Sequence, residues 1–230
     1  MTMHDFIFGA YPYLAGTIFL IGSWARFDRE QYTWKADSSQ LLDNKNMRLY
    51  SNLFHIGILG IFFGHFFGLL TPHSWFLAFG ISDLTHQYIA IYLGFIFGVA
   101  CLAGAVLLAW RRLNSERVHA VSRGRDTFVI IWLAVTAAIG LSTIPVSSGH
   151  ASAGDAQQMI ALSEYVKSVA TLSVDPRLLD NVDAIYKVHM FFGMTVVLIF
   201  PFTRLVHVWS IPFSYLTRAY QIVRAKRITT

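Results

Sequence analysis

The sequence predicts an all-α fold: an integral membrane bundle of five transmembrane helices, with the N-terminus outside and the C-terminus cytoplasmic. Three observations lead there. The 230 residues are 55% hydrophobic, with a mean hydropathy of +0.50. Only 13% are charged, about half the ~25% of soluble domains. The basic residues collect in alternate loops between apolar stretches. A soluble domain of this length could not hide so much apolar surface, and the bilayer is its natural solvent.

Five stretches, near 5–24, 52–71, 87–109, 127–145 and 186–209, reach the ~20 residues that a span requires. They read as one membrane domain over 1–230. The first has no Lys/Arg-rich leader and no small-residue cleavage site, so it is expected to be a retained helix and not a signal peptide. The loop after it holds Arg26, Arg29, Lys35, Lys45 and Arg48. The loop after the third span holds Arg111, Arg112, Arg117, Arg123 and Arg125, and the tail holds Arg218, Arg224, Lys226 and Arg227. On the other side, 72–86 has no Lys or Arg and 146–185 has only Lys167 and Arg177. The positive-inside rule puts the fourteen in the cytoplasm and the two outside. The long outer loop 146–185 carries a helical pattern, Gln157 to Val169, that is expected to lie along the outer surface.

Composition also excludes functions. Cys101 is the one cysteine, which rules out an internal disulfide and a cysteine-held iron–sulfur or zinc site. No CxxCH motif occurs, so a haem would be held non-covalently. The net charge of +5 sits in inter-helix loops, a pattern of membrane topology and not of nucleic-acid binding.

Of nine histidines, four fall inside spans: His55 and His65 in the second, His189 and His207 in the fifth. Ionisable side chains in hydrocarbon are costly and point to function, and neutral imidazole is a common axial ligand of haem iron. An isolated histidine in a span can be a hydrogen-bonded packing residue; four in two helices at paired depths favour ligation. The second and fifth spans run in opposite directions, so His65 is level with His189 near the outer face and His55 with His207 near the inner face. Two bis-histidine sites are therefore expected. The spacings do not match at first sight. His189 and His207 are eighteen residues apart, about 27 Å on one face, whereas His55 and His65 are ten apart, about 15 Å and ~80° round the helix. A tilted crossing or a bend at Pro201 has to reconcile them. His4, His119 and His150 fall in polar or terminal segments and are expected to be solvated. His73 is expected at the interface, and His86 starts the third span at the level of His65.

Gly57, Gly60, Gly64 and Gly68 cluster about 140–220° from His55, while His65 lies near 280°, so the stripe is assigned to close helix packing. Gly193, one turn beyond His189, would leave room for a macrocycle. Arg111 and Arg112 read as snorkelling topology markers, with haem propionates as the alternative partners. Tyr11, Tyr13, Trp24, Trp75, Trp209 and Tyr215 fit interfacial belts.

Four strings match a known family: YPYLAGTIFLIGSW at 11–24, QYTWKADSSQLLD at 31–43, SNLFHIGILGIFFGHFFGLLTPH at 51–73 and FPFTRLVHVWSIPFSYLTRAYQIVRA at 200–225. In these, and in its five-span layout, the chain resembles the gamma subunit of respiratory nitrate reductase. The resemblance implies two haems b, a distal one on His65 and His189 and a proximal one on His55 and His207. It implies menaquinol or ubiquinol oxidation beside the distal haem, in a pocket of Gly64, His65 and a basic residue that is lysine in the family and aligns here with His86. A histidine there can still bond a quinone carbonyl and accept a proton. The implied partners are an iron–sulfur beta subunit and a molybdenum-bearing alpha subunit on the cytoplasmic face of a bacterial or archaeal membrane. Protons would leave outside, and nitrate reduction would belong to the partners. Dihaem anchors of formate dehydrogenase or hydrogenase assemblies share the chemistry without these strings. A haem-free anchor or transporter with proton-relaying histidines is the alternative of a different class.

Overall fold

The structure, a computed structural model, describes residues 2–34, 39, 42 and 46–210. Lys35, Lys45, Tyr215 and the basic tail of the sequence reading lie outside the described residues. Five helices are long and apolar enough to cross a membrane: Met3–Arg29 (α1), Met47–Leu70 (α2), Asp83–Asn114 (α4), Gly124–Ser152 (α6) and the span Ala184–Phe202, whose α-helical part is Ala184–Ile199 (α8). Shorter helices join them: His73–Ala78 (α3), Glu116–Val121 (α5) and Gln157–Ala170 (α7).

The helix ends follow local chemistry. Thr2 and Asp5 cap α1 reciprocally, each side chain accepting the other's backbone N–H, a capping box that satisfies otherwise orphaned donors. Residues Phe6–Ala10 then form a widened π turn, which periodicity did not predict. Ser82 caps α4 by accepting the Thr85 N–H at 3.2 Å. Gly154, at φ 75°, makes the left-handed turn out of α6 that a side chain would resist. The fourth span was expected to stop at 145, but α6 carries Pro145 inside it and continues to Ser152, which shortens the loop that follows. The helical pattern expected at 157–169 is α7.

The fifth span departs most from expectation. It was read as continuous to 209, yet α8 ends at Ile199, and tight 3₁₀ turns run Phe200–Phe202 and Arg204–Ser210. Pro201 has no N–H to continue an α-helix. Carbonyls at the break would be left bare, and Arg26 of α1 meets them: its guanidinium donates to the Pro201 and Thr203 carbonyls, both at 2.7 Å, and to Thr33 O at 2.9 Å. The segment bearing His207 is thus tied to α1.

The packing runs as a row: α2 against α4, α4 against α6, α6 against α8, and α8 against α1. Glycine brings α2 and α4 together. A Cβ added at Gly57 would strike the Cys101 backbone, one at Gly104 the Phe54 backbone, and one at Gly60 the Phe97 ring. Such small-residue contacts let backbones approach closely. The helix α7 lies over the end of the bundle that carries His65 and His189. Its Tyr165 packs with Phe8, Leu179 and Val182 and donates to the Phe8 carbonyl at 2.8 Å; burial pushes its phenol well above the usual range. Only 6% of the most apolar window of α2 is buried. The helices α2 and α8 make no substantial packing contact with each other, which leaves a slot between them.

Candidate functional site

The four histidines face one another across that slot, in the pairs that topology predicted. The His65 and His189 ring centroids are 6.0 Å apart, and those of His55 and His207 are 6.4 Å apart. The mismatch of spacings disappears because the stretch from His189 to His207 is not one α-helix; the break before Pro201 resets its rise and direction.

Hydrogen bonding sets how these rings can act. His55 Nδ1 donates to Ser51 O (2.7 Å), His65 Nδ1 to Ile61 O (2.8 Å) and His207 Nδ1 to Arg204 O (2.6 Å). A carbonyl only accepts, so each Nδ1 carries the hydrogen and each Nε2 keeps its lone pair. His189 Nδ1 is buried, with no hydrogen-bond partner among the described residues. Orienting the far nitrogen in this way is the usual support for a metal-ligating histidine. The separations suit it too. Two metal–imidazole bonds of about 2 Å, the length known at zinc, plus half a ring at each end, total about 6 Å.

Glycines shape the His65–His189 pair. A Cβ at Gly140 of α6 would come 2.7 Å from His189 Cε1, so that residue must be small to seat the ring. Gly193 and Gly64 would meet nothing within 4 Å and leave open space beside His189 and His65. The stripe assigned to packing therefore divides: Gly57 and Gly60 pack on α4, Gly64 faces open space, and Gly68 lies beside His86, where its Cβ would be 3.5 Å from Nε2. Among the described residues no three His, Cys, Asp or Glu side chains converge as a protein-only metal site requires. Paired histidines instead suit haem iron, whose remaining ligands come from the porphyrin.

His86 reaches α2 at Gly68, one turn beyond Gly64, with its ring stacked on Phe76 at 4.0 Å. Three expectations need correction. His150 is not simply solvated: its Nε2 lies 3.0 Å from an Asp183 oxygen and its Nδ1 3.3 Å from Asp155, and Gln158 joins the group. Gln158 and His150 hold the Asp183 carboxyl below its ordinary range. His4 packs on Phe8 at 5.0 Å with Nε2 buried. Arg111 does not snorkel; it is 5% exposed and donates to Ser39 Oγ and O at 2.8 and 3.0 Å, while Arg112 donates to Ser122 and lies 3.9 Å from Asp126. Ser39, after α1, and Ser122, after α5, accept from these arginines inside the protein. His73, expected at the interface, pairs with Asp83 at 3.0 Å. Asp83, Glu164 and Lys167 were missed, although Asp83 is three residues before His86 on one helix face.

A row of membrane-length helices with two histidine pairs at different depths defines the class: a helical membrane protein built around two paired-imidazole sites. The chain matches the nitrate reductase gamma subunit family over residues 4–226 and belongs to that family. It is 50% identical over 225 residues to the respiratory nitrate reductase 1 gamma chain of Escherichia coli (strain K12), covering 97% of this chain and 98% of that one. To the respiratory nitrate reductase 2 gamma chain of the same strain it is 48% identical over 226 residues, 98% of each. To the nitrate reductase gamma chain of Bacillus subtilis (strain 168) it is 32% identical over 220 residues, 96% of this chain and 97% of that one.

Proposed function

We propose that this gamma subunit, as one dihaem domain over 1–230, oxidises quinol for a respiratory nitrate reductase complex in the cytoplasmic membrane. The observation that carries the reading is the pair of facing histidine couples, with Nε2 atoms left free and ring separations of 6.0 and 6.4 Å. His65 and His189 would hold a distal b haem, and His55 and His207 a proximal one. Bound there, the haems would supply one-electron carriers in series between quinol outside and the iron–sulfur beta and molybdenum alpha subunits in the cytoplasm.

The chain's own residues do the rest. Backbone carbonyls hold three imidazoles in the ligating tautomer, and Gly140 seats the fourth. Gly64, His65 and His86 border the quinol site, where the His86 imidazole takes protons that leave on the outer side. The basic loops support a proximal couple near the cytoplasm and its partners, and with that orientation charge separation would follow from the direction of transfer.

A reduced-minus-oxidised spectrum of the purified complex tests this. Two b-type components are expected, with His65→Ala or His189→Ala removing one and His55→Ala or His207→Ala the other. Absence of any dithionite-reducible b-type absorption would leave a haem-free anchor. Retention of both components in His65→Ala would sink the pairing.

A further inference from the structure

Between α3, the start of α4 and α7 lies a narrow cleft of about 20 Å³, lined among others by His73, Asp83, His86, Ser163, Glu164 and Lys167. Space of this size holds roughly one water molecule, far less than a quinol ring. Its lining combines apolar side chains, among them Phe76, Met159 and Ile160, with two acid–base pairs. His73 Nδ1 lies 3.0 Å from Asp83 Oδ1, and the two side chains are 43% and 35% exposed. Across from them, Lys167 Nζ donates to Glu164 at 2.8 Å. Ser163 Oγ donates to the Leu69 carbonyl at 3.0 Å, which fixes this face of α7 to the end of α2. His86 stands at the boundary: its Nε2 is beside Gly68 on α2, one turn from Gly64 and His65, while its ring also lines the cleft.

We propose that this cleft is the outer proton exit of the quinol site, with Asp83 and His73 relaying protons from His86 to solvent. The proposal rests on the quinol reading above. Each quinol O–H bond breaks, and its proton goes to a ring nitrogen of His86. The two electrons leave singly toward the histidine-held centres, and quinone remains. An imidazole can accept at one nitrogen and release at the other. Asp83, three residues back on the same face of α4, takes the proton directly or through the one water that fits, and His73 exchanges it with bulk. Glu164 is engaged by Lys167. That leaves the half-exposed Asp83–His73 pair as the open acceptor. Asp83 touches no substrate; it is a positioning residue for protons.

The test uses the intact complex in membranes, with quinol as donor and nitrate as acceptor. Asp83→Asn should lower kcat about tenfold, less than the roughly hundredfold or more that a general acid–base group acting at the reacting atoms contributes. KM for quinol should stay within about twofold, and both b-type components should remain. The loss should deepen at acid pH, where unaided release of a proton to water is slowest. Added imidazole buffer, or Asp83→Glu, should restore most of the rate; His73→Gln should show a smaller loss, also rescued by imidazole. Unchanged turnover and pH profile in Asp83→Asn, with His86→Ala impaired, would overturn the exit while leaving the quinol site standing. If His86→Ala is unimpaired too, the quinol reading fails with it. A loss in Asp83→Asn that neither imidazole nor Asp83→Glu restores would make Asp83 structural and overturn the relay. Should Asp83→Asn not assemble, the imidazole response of His73→Gln decides.

Discussion

Gly140 and Gly193 flank the same imidazole and make opposite demands. A methyl at Gly140 would meet His189 Cε1 at 2.7 Å, whereas one at Gly193 would meet no protein atom within 4 Å. Gly140→Ala must displace the ring, at the 1–3 kcal/mol roughly typical of overpacking, so both thermal stability and distal b-type absorption should fall. Gly193→Ala should leave the stability of the haem-depleted protein unchanged but lower the distal component, because only a bound macrocycle would occupy that space. Normal distal absorption in Gly193→Ala would mean that the plate does not lie over this glycine. Gly193 was legible in the sequence because it follows His189 by one turn of the same helix. Gly140 was not, since its neighbour comes from another helix and no local spacing records it.

Among the elements, the five spans, α7 and the pairing of the four histidines were legible, because hydropathy acts within a segment and antiparallel spans fix which histidines meet. Breaks in regularity were not. The π turn at Phe6–Ala10 comes just before Pro12, which has no N–H for the Phe8 carbonyl, and the donors that meet the freed carbonyls there and after Ile199 lie far along the chain, Tyr165 in one case and Arg26 in the other. Pro201 announced a disturbance, but only the Arg26 bonds show how the freed carbonyls are satisfied. Likewise, the burial of Arg111 depends on Ser39, seventy-two residues away. The π turn offers a direct test. Tyr165 is 2% exposed, and its hydroxyl is the partner given to the Phe8 carbonyl. Tyr165→Phe would leave that buried carbonyl unpaired, at a cost of about 1–3 kcal/mol. A thermal melt of the detergent-solubilised protein should fall accordingly. An unchanged melt would show that water or lipid reaches the carbonyl and that α7 is not pinned there.

At the scale of the whole molecule, the proposed chemistry depends on which end of the row faces out. The His65–His189 couple, the cleft and α7 share one end; the His55–His207 couple and the buried Arg111 share the other. If the first end faced the cytoplasm, protons would be released inside and no charge separation would result. The fourteen basic residues against two argue for that end outside. The protein provides a clean way to test it. Cys101 is the one cysteine and is 0% exposed, so the native chain should be silent to a thiol label. Ala153, just past α6, and Ala120, on α5, are both exposed and lie at opposite ends. Ala153→Cys should react with a membrane-impermeant maleimide on intact cells, and Ala120→Cys should react only in inverted vesicles. The reverse pattern would invert the topology and, with it, the side on which quinol gives up its protons; the histidine couples would remain, but the direction proposed for the electrons would not.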